Sequence, residues 1–189
     1  MANFIFNSAR RLFSEAKINW IGANTAALGD YTIKAAMVNK TGGSGIMNYS
    51  PPADTSNDSV QFVEGTTGSR NMYTDFGMGN TPANSSLVRN ASDQPIVDEL
   101  LTRAFVSTTS ACDSADITFQ NVPVNPLTGT YGAIEGIVVY LQRSGVGVDS
   151  PEFWPVLLFL DNLTTGAMSV TPNGGDIVVQ WSTSGIFRL

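Results

Sequence analysis

The chain has 189 residues, of which 42% are hydrophobic and only 14% are charged, and its formal net charge is −6. This composition excludes a largely disordered chain, and without a basic cluster we expect no direct binding to nucleic acid or to an anionic membrane. The length suits one domain over residues 1–189. The single cysteine, Cys112, excludes an internal disulfide and is expected to be a small, inert side chain.

The first segment predicts an amphipathic helix over residues 3–17. Its other face is charged, with Arg10, Arg11 and Lys17 among the residues there. Because about four turns of helix are marginal alone, we expect the apolar stripe to dock on the sheet of the same chain. The apolar residues that recur at helical spacing are Ile5, Ala9, Leu12, Phe13 and Ala16.

Residues 31–38 alternate as a strand, with Tyr31, Ile33, Ala35 and Met37 on one side. The pattern then dissolves, and a loop-rich insertion is predicted over about residues 39–114. A compact domain seldom holds so long a loop unless it is functional or ordered by a neighbour. Aromatic and methionine side chains within it argue against a solvated linker and predict contact with a partner. These candidate interface residues are Met47, Tyr49, Phe62, Met72, Tyr73, Phe76 and Met78.

Two structures compete for one part of this insertion. Residues 93–103 have the pattern of a short helix, with Asp93 as the cap and Pro95 in the first turn. Residues 101–106 instead have the composition of a strand. Both alternatives stay open on the sequence.

The remaining chain predicts strand after strand, so the β core comprises residues 31–38 and 115–189. Strands are expected over 116–122, 134–141, 156–160, 176–181 and 186–189, and the second and third of these are apolar on both faces, as in the middle of a packed sheet. Near the C-terminus, Ile177, Val179 and Trp181 share one face. The fold class expected is mainly β, an antiparallel β-sandwich or barrel-like domain with an N-terminal helix.

The sequence has no histidine, which removes the usual general base and the commonest zinc ligand. Six carboxylates, at Asp93, Asp98, Glu99, Asp113, Asp116 and Glu135, follow no spacing that pairs two across a cleft or forms a calcium loop. The glycines of residues 41–45 lack the Lys-Ser/Thr pair of a phosphate loop. We therefore expect no enzyme activity, no metal and no cofactor.

Several segments together resemble a family of small structural proteins of tailed-bacteriophage virions. The C-terminal block is the most specific of them, and the departure from the family pattern lies in the longer insertion. The segments that carry the resemblance are residues 1–10, 17–20, 31–38, 115–119, 138–140, 170–177, Trp181 and 186–189.

The resemblance implies a virion protein made in the bacterial host cytoplasm, with other virion proteins as its partners. The function expected first is a capsid decoration (cement) protein, a homo-oligomer that bridges capsomers of the major capsid protein. A tail or neck component and a receptor- or glycan-binding virion module remain as alternatives. The family supplies no catalytic residues.

Overall fold

The computed structural model describes residues 4–21, 30–39, 71–80, 85–90, 92–106, 111–124, 133–145, 150–163 and 165–188. The helices are α1 (Asn7–Ser14), α2 (Met72–Phe76) and a 3₁₀ turn, Pro151–Phe153. The strands are β1 (Phe4–Ile5), β2 (Asp30–Val38), β3 (Val97–Glu99), β4 (Ala104–Val106), β5 (Ala111–Asp113), β6 (Ile117–Phe119), β7 (Gly136–Ser144), β8 (Val156–Leu160), β9 (Asn162–Leu163), β10 (Gly166–Ala167) and β11 (Ile177–Val179).

The fold is mainly β, as predicted, and its strands form antiparallel sheets. Among the described residues, the main sheet has five strands in the order β1-β8-β7-β2-β3, and three two-stranded ribbons are formed by β4–β5, β6–β11 and β9–β10. The barrel alternative is wrong, because the short strands β1 and β3 end the sheet at opposite edges and do not pair.

The centre of the main sheet is a long ladder between β2 and β7. It runs without a bulge from the pair Asp30–Ser144 to the pair Val38–Gly136. Direct partners in a ladder share a face. Ile33 and Leu141 therefore lie on one face, called here the Ile33 face, while Lys34 and Tyr140 lie on the other, called the Lys34 face.

Both faces of the central strands are covered, which confirms the prediction for β7 and β8. On the Lys34 face, the ring of Phe76 in α2 stacks on Phe159 in β8, with centroids 6.1 Å apart. Helix α1 also packs against β8. All five residues of β8 are buried. The apolar runs of these strands follow from cover on two sides.

Helix α1 occupies only the middle of the predicted segment 3–17. Ile5 belongs to strand β1, and the backbone N–H of Phe6 donates to the carbonyl of Leu157 at 3.0 Å, so the sheet holds the chain before the helix begins. The helix buries Ala9 and Leu12. Ala16, at φ 54°, lies beyond the helix end.

Of the two alternatives for this part of the chain, the helix over 93–103 is wrong, and the strand within 101–106 is confirmed over Ala104–Val106. Val97–Glu99 pairs with β2 in the main sheet, and Ala104–Val106 pairs with β5. Between them Thr102 has φ 49°, a left-handed conformation that a helix does not accept. Pairing with β2 and with β5 has overridden the local helix signals.

Part of the segment 39–114 packs in the core of the chain. Leu87, Val88 and Leu100 are buried, and the backbone N–H of Val88 donates to the carbonyl of Met37 in β2 at 2.9 Å. Residues 40–70 of the predicted insertion lie outside the described residues.

The C-terminal segment confirms the predicted alternation. Ile177, Val179 and Trp181 are partly buried, whereas Val178 and Gln180 are exposed, and β11 pairs with β6. Farther on, Phe187 forms an isolated bridge with Cys112, and its ring meets Trp20 edge-on at 5.0 Å. This segment is therefore anchored on both β6 and β5.

Candidate interaction surface

The residues predicted as an interface divide into three groups. Met47, Tyr49 and Phe62 lie outside the described residues. Met72, Phe76 and Met78 are buried in the core of the chain, so they are not available as an exposed surface. Phe76 in α2 stacks on Phe159, which lies on the Lys34 face. Tyr73 alone of the described set is exposed, at 38%.

A different apolar surface is exposed at strand β4 and the residues before it. The side chain of Leu101 is 58% exposed and that of Phe105 is 46% exposed. Thr102 and Ala104 between them are also exposed. We call residues 101–106 the β4 edge.

The neighbouring strand β5 holds the β4 edge firmly. Ala111 and Cys112 of β5 are buried. The Cys112 N–H donates to the Phe187 carbonyl, and the Ile186 N–H donates to the Cys112 carbonyl, both at 2.7 Å. On its other side β5 pairs with β4, which makes β4 the outer strand of this ribbon among the described residues.

The backbone at Gly185 lies very close to β5, and this contact also holds that strand in place. Gly185 has φ 90°, and a Cβ placed on it would lie 2.6 Å from the Cβ of Ala111 and 2.9 Å from the carbonyl oxygen of Cys112. Only glycine accepts both that conformation and that contact. The chain after β11 can therefore lie directly against β5.

An outer strand with apolar side chains can pair with another chain. Its unpaired backbone groups can accept a further strand, and natural proteins usually protect such edges with charge or proline. Residues 104–106, Ala-Phe-Val, have neither. The sequence had marked 101–106 as a possible strand, but only the position of β5 shows which side of that strand is open.

The carboxylates singled out in the sequence have structural roles where their contacts are described. Asp98 accepts the backbone N–H groups of Glu99 and Thr118, both at 2.8 Å. Asp116 accepts the backbone N–H of Trp181 at 3.1 Å. Within the described residues, no group of three or more Cys, Asp or Glu side chains is arranged to hold a metal ion. These carboxylates fasten β6 to its neighbours.

Cys112 is a buried free thiol, as predicted. Burial raises its pKa to about 12, because the thiolate would lose its hydration. At neutral pH it is therefore an inert core side chain rather than a nucleophile.

No family model, curated protein or solved structure matches the chain. Within the part of the chain that the structure describes, no helix is long and apolar enough to cross a membrane. The likeness of its two ends to phage virion proteins stays a prediction from the sequence.

Proposed function

We propose that this chain is a structural protein of a tailed-bacteriophage virion that decorates the capsid and bridges neighbouring capsomers. The observation that carries the proposal is the β4 edge, an anchored outer strand with Leu101 and Phe105 exposed. The sequence resemblance supplies the virion context. A cement protein needs this combination of a stable scaffold and an adhesive margin.

The proposed mechanism is mechanical. A strand or loop of the partner pairs with the open side of β4, and main-chain hydrogen bonds form along it. Phe105 and Leu101 anchor the contact, and each adds roughly 1.5–3 kcal/mol when fully buried. Repetition over many copies then strengthens the shell.

The finer architecture is part of this proposal. The ribbons β4–β5 and β6–β11 form the second layer of a sandwich over the Ile33 face, and α1 closes one end of that layer. The burial of Ile117 and Phe119 in β6 supports this arrangement, since both belong to the same core as Ile33. Association of the chain into a homo-oligomer also belongs to the proposal.

The first test is the position of the protein in virions made from the genome that encodes it. Cryo-electron microscopy should show the chain on the capsid lattice, and quantitative mass spectrometry should give a copy number comparable with that of the major capsid protein. A few copies confined to the tail or neck would overturn the capsid role.

The second test concerns the β4 edge itself. The double substitution Leu101→Asp and Phe105→Asp should abolish binding of the purified chain to undecorated capsids in a sedimentation assay, because it places charges in an apolar contact. The matched control is Val178→Asp, a change of the same kind on the exposed side of β11. Equal binding by the double variant and the control would place the contact elsewhere.

A further inference from the structure

A cleft of about 570 Å³ opens on the Lys34 face, away from the β4 edge. Its floor comes from three adjacent strands, where Lys34 is paired in register with Tyr140 of β7. Gln142 and Val97 extend this floor. The volume is within the range of small-molecule sites, roughly 300–1,000 Å³.

Arg89 links two segments that line this cleft, one containing Asn80 and the other containing Asp93. Its side chain is only 5% exposed, and it donates to the backbone carbonyl oxygens of Asp93 at 2.8 Å and Asn80 at 3.0 Å. The Asp93 carboxylate lies 3.8 Å away and is half exposed. Arg89 therefore holds the backbone at Asn80 and the backbone at Asp93 together on either side of its guanidinium group.

One buried donor that lines the cleft, the Nε–H of Arg89, has no acceptor among the described residues. Tyr140, which is only 1% exposed, also lines the cleft. Burial raises the pKa of Tyr140, so its hydroxyl keeps its proton and remains a donor. Lys34 adds an ammonium group to the lining. Unsatisfied buried donors are rare in native proteins and call for an explanation.

The other lining groups restrict the class of ligand. Gln94 and Gln142 present amides, which can both donate and accept, as sugar hydroxyls require. Trp154, stacked on Tyr140 with centroids 6.0 Å apart, adds apolar surface to the wall together with Pro95 and Pro151. A sugar ring has polar hydroxyl groups at its edge and apolar C–H groups on its faces. Amides beside a flat apolar surface match both.

We propose that this cleft binds an acidic carbohydrate, a sugar that carries a carboxylate, of one or two rings. Lys34, the unpaired Nε–H of Arg89 and the hydroxyl of Tyr140 receive the anionic group, and the amides bind the hydroxyls. The volume favours such a compact ligand over an extended acidic peptide. The cleft is distinct from the β4 edge, so the proposal does not depend on the capsid role.

The test is a titration of the isotopically labelled full chain, followed by amide NMR shifts. The probes are methyl β-D-glucuronide, methyl α-D-galacturonide and N-acetylneuraminic acid, with methyl β-D-glucoside as the neutral control. We expect saturable shifts around the cleft for at least one acidic probe, with Kd of about 1–10 mM, and about tenfold weaker binding of the glucoside. No saturable binding by any acidic probe would overturn the proposal.

Substitutions test whether the acidic sugar binds in the cleft or elsewhere on the surface. Lys34→Gln should weaken binding of the acidic sugar by about tenfold, because it removes the positive charge, and Tyr140→Phe by about fivefold, because it removes a donor. Arg188→Gln removes a charge from an exposed residue that does not line the cleft and should leave binding unchanged. Equal affinity in all three variants would overturn the site.

Two competitors test the chemical class. Acetate should bind at least about tenfold more weakly than the best acidic sugar, because it lacks the hydroxyls that the amides receive. Triglutamate should also bind more weakly. If acetate bound as tightly, the cleft would be a simple anion site, and if triglutamate bound more tightly, it would be a peptide site; either result rejects the carbohydrate.

Discussion

The β7–β8 pair and the β4–β5 pair are both antiparallel and both rich in apolar residues, yet they have different environments. In the first pair every residue of β8 is buried. In the second, β5 is largely buried while Phe105 of β4 remains 46% exposed. The role of an apolar strand therefore depends on whether another element covers it. The first pair is scaffold, and the second presents a surface.

Truncation of one phenylalanine in each pair to alanine should give the largest difference in stability. Phe159→Ala should lower the free energy of unfolding by about 3–5 kcal/mol, because a fully buried ring leaves a cavity. Phe105→Ala should lower it by less than about 1 kcal/mol, because its ring is half exposed. Urea denaturation of the two variants measures both values. Equal losses would contradict the assignment of scaffold and surface.

The attachment of the surface region to the scaffold can be tested at Gly185. Gly185→Ala should cost about 2–4 kcal/mol, since it combines a strained φ with a backbone clash at Cys112. Hydrogen exchange at the Cys112 amide should accelerate at the same time, because its acceptor is the Phe187 carbonyl. Unchanged exchange would show that the chain after β11 does not anchor β5.

Gly136, in the β7–β8 pair, tests how tightly that pair is packed. A Cβ on Gly136 would lie 2.3 Å from the Phe159 ring, which is fully buried. Gly136→Ala should therefore destabilise the protein by about 1–3 kcal/mol through overpacking.

The matched control for this position is Gly175→Ala. There the added methyl group would meet only the end of the exposed Asn173 side chain, at 3.2 Å. Thermal denaturation should rank the two glycine variants clearly. If the Gly136 variant were as stable as the control, Phe159 would not be packed against β7 as described.

The smallest expected effect concerns pH and Cys112. The thiol has a folded pKa of about 12 against an ordinary value of 9.0, so between these values the folded state holds a proton that the unfolded state has lost. Stability is therefore complete below pH 9 and falls above it, by at most about 1.4 kcal/mol per pH unit.

Cys112→Ala isolates this contribution. The variant should be less stable overall but should show a flatter decline between pH 9 and 10, before tyrosine groups with an ordinary pKa of 10.0 contribute. Urea midpoints over that range give the two slopes. Parallel slopes would mean that the thiol is not buried in the folded state.

Strands with a clear apolar pattern were predictable. Residues 156–160 became β8, and the alternation at Ile177 and Val179 was confirmed. The helix over 93–103 failed because β2 and β5 offered partners that local signals do not include. Met72 and Phe76 were predicted at an interface because their surroundings are polar in sequence, whereas the fold buries both and stacks Phe76 on Phe159.

By itself the sequence determined the β-rich class, the lack of histidine chemistry and the inward faces of its most regular strands, because these depend on composition and on period-two spacing. Only the tertiary structure decided that α2 is core, that β4 is an outer strand and that Lys34, Arg89 and Tyr140 line one cleft. The physical reason is that exposure depends on neighbours distant along the chain. An apolar residue is scaffold or surface according to whether another element covers it.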